Sequence, residues 1–168
     1  MTSIIPVIDL AAATAPDAPK ELLDQIREAT ETVGIVQVVN HGVPERLISE
    51  YDQRIGRLLG LPRDRKAELT RPTGHPYLGW RQWPDDFGRL ELERFNVGQF
   101  DNVEQAGAAD LAEEYLGLYA HDNVWPDDDP ELRALTFRYI AAGRSVAERV
   151  LGLYARAQAE LAENSAGR

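Results

Sequence analysis

The side chains that most often carry chemistry are scarce in this chain. Its 168 residues include three histidines and no cysteine, which excludes thiolate zinc sites, cysteine nucleophiles and disulfides. An oxygen-activating iron(II) centre commonly uses two histidines and one carboxylate on one face. The residue two positions after each histidine is not an acid: Val43 follows His41, Tyr77 follows His75 and Asn123 follows His121. The sequence therefore predicts no catalytic residue and no metal ligand set of its own.

Other catalytic patterns are missing as well. We find no Ser/His/Asp ordering, no Gly-rich phosphate loop and no paired-His metal motif. A pair of carboxylates in a pocket stays open, because the 28 acidic residues allow many pairs that sequence cannot place. Whether the chain is itself an enzyme is therefore left undecided by its residues.

The run Asp127-Asp128-Asp129 is the densest group of acids. It lacks the spaced oxygen ligands and the glycine of a calcium loop. It directly precedes Pro130, and proline and negative charge both favour a helix start. We expect these three acids to begin a helix.

Aromatic and basic side chains collect between residues 70 and 98, where no regular pattern is evident. An irregular segment of this length is usually functional or disordered, and its aromatic content argues against disorder. We expect these aromatic side chains either to line a pocket or to pack as a loop. His75 lies among them and could contact a substrate. His41 is expected to be a structural turn residue, His121 a surface or capping residue, and Glu93 part of a buried salt bridge.

Composition narrows the class of protein. The 43% hydrophobic and 27% charged residues suit a globular domain, and the net charge of −10 argues against nucleic acid or an anionic membrane as partner. No apolar run approaches the roughly 18 residues that span a bilayer, and no signal peptide is visible. We expect a cytoplasmic location.

The hydrophobic periodicity predicts an α+β fold with three to five helices on a small sheet and one long C-terminal helix. The run at 35–39 is nearly continuously apolar, which indicates a strand covered on both faces. We expect one domain, in which residues 1–126 hold the strands, two helices and the aromatic segment, and residues 127–168 form the long helix and a polar tail. The small polar residues at 163–168 are typical of a natural terminus. The predicted elements are a strand at 4–10, a helix at 20–33, a strand at 35–39, helices from 45 and 62, a helical piece around 111–119 and a helix from 130 to about 162.

Five short motifs occur in a fixed order along the chain: 5–10 (IPVIDL), 34–43 (GIVQVVNHGV), 77–80 (YLGW), 93–98 (ERFNVG) and 123–126 (NVWP). Together they resemble the N-terminal region of the isopenicillin N synthase-like iron(II)/2-oxoglutarate oxygenases. The second motif departs from the family pattern, because Ile35-Val36 stands where an aromatic pair is usual. The resemblance covers most of the chain.

The resemblance implies a half that this chain does not contain. Family members continue into a jelly roll with a His-x-Asp motif, a distal histidine and an Arg-x-Ser pair that holds 2-oxoglutarate. Iron and 2-oxoglutarate are therefore expected only if a jelly-roll domain completes the site. In relatives the segment around Tyr77 lines the substrate pocket. The resemblance implies substrate contacts for Arg71, His75, Tyr77, Trp80 and Arg81 and a small carboxylate-bearing substrate, with Arg81 as the alternative to Arg71 for the carboxylate.

Two functions compete. The first is a non-catalytic N-terminal component of an oxygenase, whose partner is a jelly-roll chain or a missing C-terminal half. This hypothesis rests on the strands at 7–10 and 35–39, which would expose edges and apolar faces if no partner covered them. The second is a stand-alone, non-catalytic module that binds a ligand or associates with itself, since a homo-oligomer would cover the same faces. An enzyme with unrelated chemistry ranks third.

Overall fold

The structure is a computed structural model that describes residues 5–13, 18–70, 78–84, 90–109, 111–115 and 121–166. The chain divides into two compact units. The first unit comprises Met1–Pro44 and Ala141–Arg168, and the second comprises Glu45–Ile140.

The first unit is built on a pair of parallel strands. Strand β1 (Val7–Asp9) leads into a 3-10 turn (Leu10–Ala13), and helix α1 (Lys20–Thr32) precedes strand β2 (Gln37–Val39). The register pairs Ile8 with Val38. Gly34, at a φ of 74°, follows α1, as expected of a glycine that allows the chain to leave a helix.

The core of this unit lies on one side of the two strands. Helix α1 buries the apolar stripe that its periodicity predicts, together with two residues of the last helix. The buried set is Ile8, Leu10, Ala18, Leu22, Leu23, Ile26, Leu153 and Ala157. On the other side of the strands Val7 is 47% and Val39 37% exposed. The expectation that β2 is covered on both faces is therefore wrong for the described residues, because the helices of this unit pack on one face alone.

The second unit combines helices with a β-hairpin. Its elements are α2 (Glu45–Leu59), α3 (Arg63–Ala67), β3 (Gly79–Pro84), β4 (Leu90–Asn96), α4 (Val103–Gly107) and the first part of α5 (Pro130–Ala166). Strands β3 and β4 pair antiparallel over the region expected to be irregular. That expectation is corrected: side chains alternate between the two faces of a strand, and this period-2 pattern was obscured by the tryptophans and charged residues that it contains.

The fold class is confirmed as a mixture of helices and small sheets with a long C-terminal helix. The sheet differs in detail, since the described strands form two separate pairs. Helix α5 begins at Pro130, directly after the three aspartates, as predicted. The expected division at residue 126 within a single domain stays a prediction. Across the helices that the structure describes, none is both long enough and apolar enough to cross a membrane.

Candidate functional site

The hairpin β3–β4 carries the part of the predicted substrate-facing segment that the structure describes. Trp80 is only 6% exposed and packs in a core cluster with Leu58, Leu69 and Leu132. Its indole N–H donates to the Glu93 carboxylate on the facing strand. The indole of Trp80 is therefore turned into the unit and held there by a polar contact.

Lys66 of helix α3 completes this arrangement. Its ammonium pairs with Glu93, donates to the Leu59 carbonyl at 2.8 Å and lies 5.6 Å from the centroid of the Trp80 ring. A buried ammonium is costly unless it is paired and hydrogen-bonded, and the Lys66 side chain is 9% exposed. The salt bridge expected at Glu93 is thus observed. We call Lys66, Trp80 and Glu93 the hairpin lock.

The lock also sets the protonation behaviour of Glu93. Burial by itself would raise the pKa of this carboxyl, but the hydrogen bonds from Lys66 and Trp80 outweigh it and hold the pKa below the ordinary value of 4.5. Glu93 therefore stays ionised to lower pH than a free glutamate, which suits a structural anion rather than a general acid.

Arg81 follows Trp80 on β3 and so lies on the opposite face of the hairpin. It is half-buried, and its direct cross-strand partner is Arg94 of β4. Arg94 was missed by reasoning from the sequence, although the alternation around it in β4 could have revealed it. The other three predicted substrate contacts, Arg71, His75 and Tyr77, lie outside the described residues.

Two of the sequence motifs are tied to each other by Asn123. Its side-chain oxygen accepts the Gly98 N–H at 2.7 Å, and its amide nitrogen donates to the Phe100 carbonyl at 2.9 Å. The chain leaving β4 is therefore fastened to the segment before α5.

A buried aspartate supports the same junction. Asp101 is 6% exposed, accepts the indole N–H of Trp125 at 2.8 Å and pairs with Arg133. The Trp125 ring packs edge-on against Phe95 of β4 and Phe137 of α5. The motifs at 93–98 and 123–126 are thus explained by their packing against each other in the second unit.

A cleft of about 300 Å³ in the second unit was not expected from the sequence. On its wall the Arg54 guanidinium bridges Asp129 and Glu131, across the first turn of α5. Of the three aspartates that could have suggested a cation site, Asp129 is therefore engaged with arginine. This contact attaches α2 to the start of α5.

Neither described histidine forms part of a metal site. The Nδ1 of His41 accepts the Val43 N–H at 3.1 Å, so its lone pair is used within the turn. His121 is half-buried and makes an interaction of its own. Within the described parts of the chain, no group of three or more His, Asp or Glu residues is placed to hold a metal ion. These residues do not fit an iron centre.

Arg149 of helix α5 joins the turn of His41 to the first strand. One of its guanidinium nitrogens donates to the His41 carbonyl at 3.0 Å and the other to the Leu10 carbonyl at 2.8 Å. Both carbonyls lie just beyond the carboxyl ends of the parallel strands. This charged fork holds the two strand ends on α5, which explains why the turn residues around His41 are structural.

Apolar side chains are exposed on and beside the outward side of β1 and β2. We call this surface the outer sheet face, and its apolar members are Ile5, Val7, Ile35 and Val39. Ile35 is 60% exposed and Val7 47% exposed. Single exposed apolar side chains are ordinary, but a contiguous group of them marks an interaction site.

Comparison with known proteins identifies the family. Residues 5–128 match the family model described as non-haem dioxygenase in morphine synthesis N-terminal. The chain belongs to this family. Proteins similar to this chain include one named as a 2-oxoglutarate-dependent dioxygenase from Trichoderma harzianum, and one structural neighbour was solved as a complex with 2-oxoglutarate. The resemblance drawn from the five motifs is confirmed.

The relatives of this dioxygenase N-terminal chain are much longer than it is. Probable flavonol synthase 4 from Arabidopsis thaliana is 26% identical over 88% of this chain and 46% of its own length. Validamycin A dioxygenase from Streptomyces hygroscopicus subsp. limoneus is 30% identical over 92% of this chain and 43% of its own. The chain thus spans under half the length of these curated relatives.

A solved structure supports the fold. The crystal structure of the dioxygenase for auxin oxidation in rice superposes with a TM-score of 0.62 and 24% identity, over 91% of this chain and 45% of that protein. This likeness shows the fold alone. The dioxygenase N-terminal fold therefore accounts for nearly the whole chain.

Proposed function

We propose that this chain is the non-catalytic N-terminal component of a non-haem iron(II)/2-oxoglutarate oxygenase. In this role it shapes one wall of the substrate pocket and depends on a jelly-roll half for oxidation. That half is either a separate chain or the remainder of a longer protein. The outer sheet face is the observation that carries the proposal.

The outer sheet face supports a docked domain for two physical reasons. Parallel sheets are normally covered on both faces, and a pair of strands is only marginally stable on its own. Here the strands are three residues long and pair only with each other among the described residues. An additional sheet placed on this face would cover Val7, Ile35 and Val39 and could extend the ladder at a free edge.

The hairpin supports the substrate-shaping part of the proposal. Trp80 is almost fully buried, so its part is to hold β3 through the hairpin lock. Arg81, on the other face, is the described residue that would contact a carboxylate of the substrate, because a guanidinium fork matches a carboxylate. Arg71, His75 and Tyr77 remain proposed contacts on the strength of the family resemblance.

Iron and 2-oxoglutarate belong to the jelly-roll half in this proposal. Iron bound there would activate oxygen, and 2-oxoglutarate would be the co-substrate. Because the described residues of this chain do not fit such a centre, we assign none of them a step of the oxidation. Their contribution is to position and enclose the substrate.

The proposal is tested by capture from the native host with the purified chain as bait. We expect the captured protein to be a jelly-roll chain that carries His-x-Asp, a distal histidine and Arg-x-Ser. Val7→Asp should abolish capture, because it places a charge on the outer sheet face. The matched control is Val103→Asp, since Val103 is 49% exposed on α4 of the other unit.

Two outcomes would count against the proposal. Stoichiometric Fe(II) binding with 2-oxoglutarate turnover by the purified chain alone would show that it is catalytic. Equal capture by Val7→Asp and unchanged chain would show that the partner does not use the outer sheet face.

Self-association is the competing function, because a second copy could cover the same apolar residues. Size-exclusion chromatography with light scattering distinguishes the two. A stable dimer that Val7→Asp converts to a monomer, with no jelly-roll chain captured, would favour a self-associating module.

A further inference from the structure

The core of the first unit is more completely buried at strand β1 than at strand β2. On the side of the strands that faces the helices, Ile8 of β1 is 1% exposed, whereas its register partner Val38 is only half-buried. A pocket of about 210 Å³ adjoins these two residues. We call it the α5 pocket, and its other walls include Ile26 and Thr30 of α1, Val36 before β2, and Leu151 and Tyr154 of α5.

The α5 pocket suits an apolar group. Thr30 brings a polar side chain to it, but the Thr30 hydroxyl already donates to the Ile26 carbonyl at 2.8 Å within α1. Apolar cavities of about 150 Å³ are large enough to hold benzene, so this pocket has room for one phenyl ring or one branched aliphatic side chain. Leu151 is 64% exposed and Tyr154 39% exposed, so the α5 wall of the pocket is in contact with solvent.

Strand β2 also has an edge that no described strand pairs with. Within the part of the chain that the structure describes, β2 pairs with β1 alone, and the free edge of a strand is a template for a further strand. The Gln37 N–H donates to the Pro6 carbonyl on the β1 side at 2.8 Å, so the next amide, that of Val38, points to the free edge.

A strand added at this edge would reach both sides of the sheet. Adjacent strands lie about 4.8 Å apart, and their side chains alternate between the two faces. An inward side chain of the added strand would lie next to Val38, where the α5 pocket leaves the core unfilled. An outward side chain would lie next to Val39, on the outer sheet face.

We propose that β2 accepts a strand of the jelly-roll half at its free edge, and that one aromatic or branched aliphatic side chain of this strand fills the α5 pocket. The inference rests on the proposed function, and it names the edge and the kind of side chain through which the two halves meet. Two observations favour the jelly-roll half as donor. The chain spans under half the length of the curated relatives described above, and one added strand would cover apolar residues on both sides of β2.

The test uses the complete 168-residue chain and a synthetic strand as probe, the peptide acetyl-Lys-Thr-Val-Phe-Val-Thr-Lys-amide. A control peptide has alanine in place of phenylalanine and the same charge. We expect isotope-filtered NMR spectra to show contacts from the phenylalanine ring to the methyl groups of Val38 and Leu151, and the Val38 amide proton to exchange more slowly. The control peptide should bind at least about tenfold more weakly, because it buries no aromatic ring.

Three variants separate the α5 pocket from general apolar attraction. Val36→Phe should lower the affinity for the phenylalanine peptide to that for the alanine peptide, because the new ring occupies the pocket. Leu151→Gln should weaken binding about threefold, because it removes part of one apolar wall. Val103→Gln, at a valine 49% exposed on α4, should bind like the unchanged chain. Near-ultraviolet circular dichroism checks that each variant is folded.

Equal affinity for the two peptides, or equal losses in Leu151→Gln and Val103→Gln, would overturn the inference. The result is separable from that of the capture experiment. Peptide binding that needs both the phenylalanine ring and an unfilled pocket supports the strand site even if no jelly-roll chain is captured. A captured jelly-roll chain that binds Val36→Phe as well as the unchanged chain would leave the proposed function standing and overturn this inference. A dimer that Val36→Phe converts to a monomer would identify a second copy as the donor and overturn the assignment to a jelly roll.

Discussion

The two units of this chain differ in whether the side chains around their strands are paired or left exposed. In the second unit polar side chains on and beyond the hairpin find partners: Trp80 donates to Glu93, Glu93 pairs with Lys66, and Asp101 accepts from Trp125. In the first unit the helices cover one side of the strands and leave Val7, Ile35 and Val39 exposed on the other.

This difference indicates where each unit meets something else. A structure held by buried, directional hydrogen bonds keeps one geometry, which suits a hairpin that must present side chains accurately. An apolar face gains most from being removed from water and has little directional preference. The hairpin therefore suits the small ligand of the proposed function, and the outer sheet face suits its proposed large partner.

The largest predicted effect compares the two sides of strand β1. Ile8→Thr should lower the free energy of unfolding by about 3 kcal/mol, because Ile8 is 1% exposed and the change removes apolar packing and buries a hydroxyl. Val7→Thr, on the outer sheet face, should change it by less than about 0.5 kcal/mol. Urea unfolding followed by circular dichroism measures both. Equal losses would mean that the outer sheet face is already covered in the isolated chain.

A smaller effect is expected in the hairpin lock. Glu93→Gln keeps an acceptor for Trp80 but leaves the Lys66 ammonium without its anion, which should cost about 2 kcal/mol. Glu68→Gln is the matched control, since its pair with Arg65 at 3.5 Å is exposed and should contribute no more than about 0.5 kcal/mol. The changes in the free energy of unfolding come from the midpoints of urea unfolding, compared at a constant dependence on urea concentration. If the Glu93→Gln protein were as stable as Glu68→Gln, the hairpin lock would not contribute to the free energy of unfolding.

The smallest effect is a dependence on pH. The pKa of Glu93 is lowered in the folded chain, so between the unfolded and the folded pKa the unfolded chain binds more protons and acid favours unfolding. The stabilisation is complete above the ordinary glutamate pKa of 4.5 and is lost as the pH falls through the lower folded value.

The measurement compares the unchanged chain with Glu93→Gln from about pH 6 down to 3. The unchanged chain should lose more stability on acidification, because it alone contains Glu93. Other carboxylates of lowered pKa, such as Asp9 and Glu50, are present in both proteins and cancel in the comparison. Parallel curves would show that Glu93 titrates alike in the folded and unfolded states.

Reasoning from the sequence succeeded where the signal was local. The stripe of α1, the helix start at Pro130 and the turn role of His41 each depend on neighbours within a few residues, and the structure agrees with them. It failed for the hairpin, because Trp80 and Glu93 meet only through the register of two strands and Lys66 arrives from a separate helix. The proposed contacts at Arg71, His75 and Tyr77 stay predictions.

The sequence by itself determined the family and the lack of an iron ligand motif, because both are read from residue types at fixed separations along the chain. Only the tertiary structure decided that Trp80 is buried, that Arg81 faces Arg94 and that one side of β1 and β2 is left uncovered. Such facts depend on which distant segments pair and pack. That is decided by the free energy of the whole fold, not by the spacing of neighbouring residues.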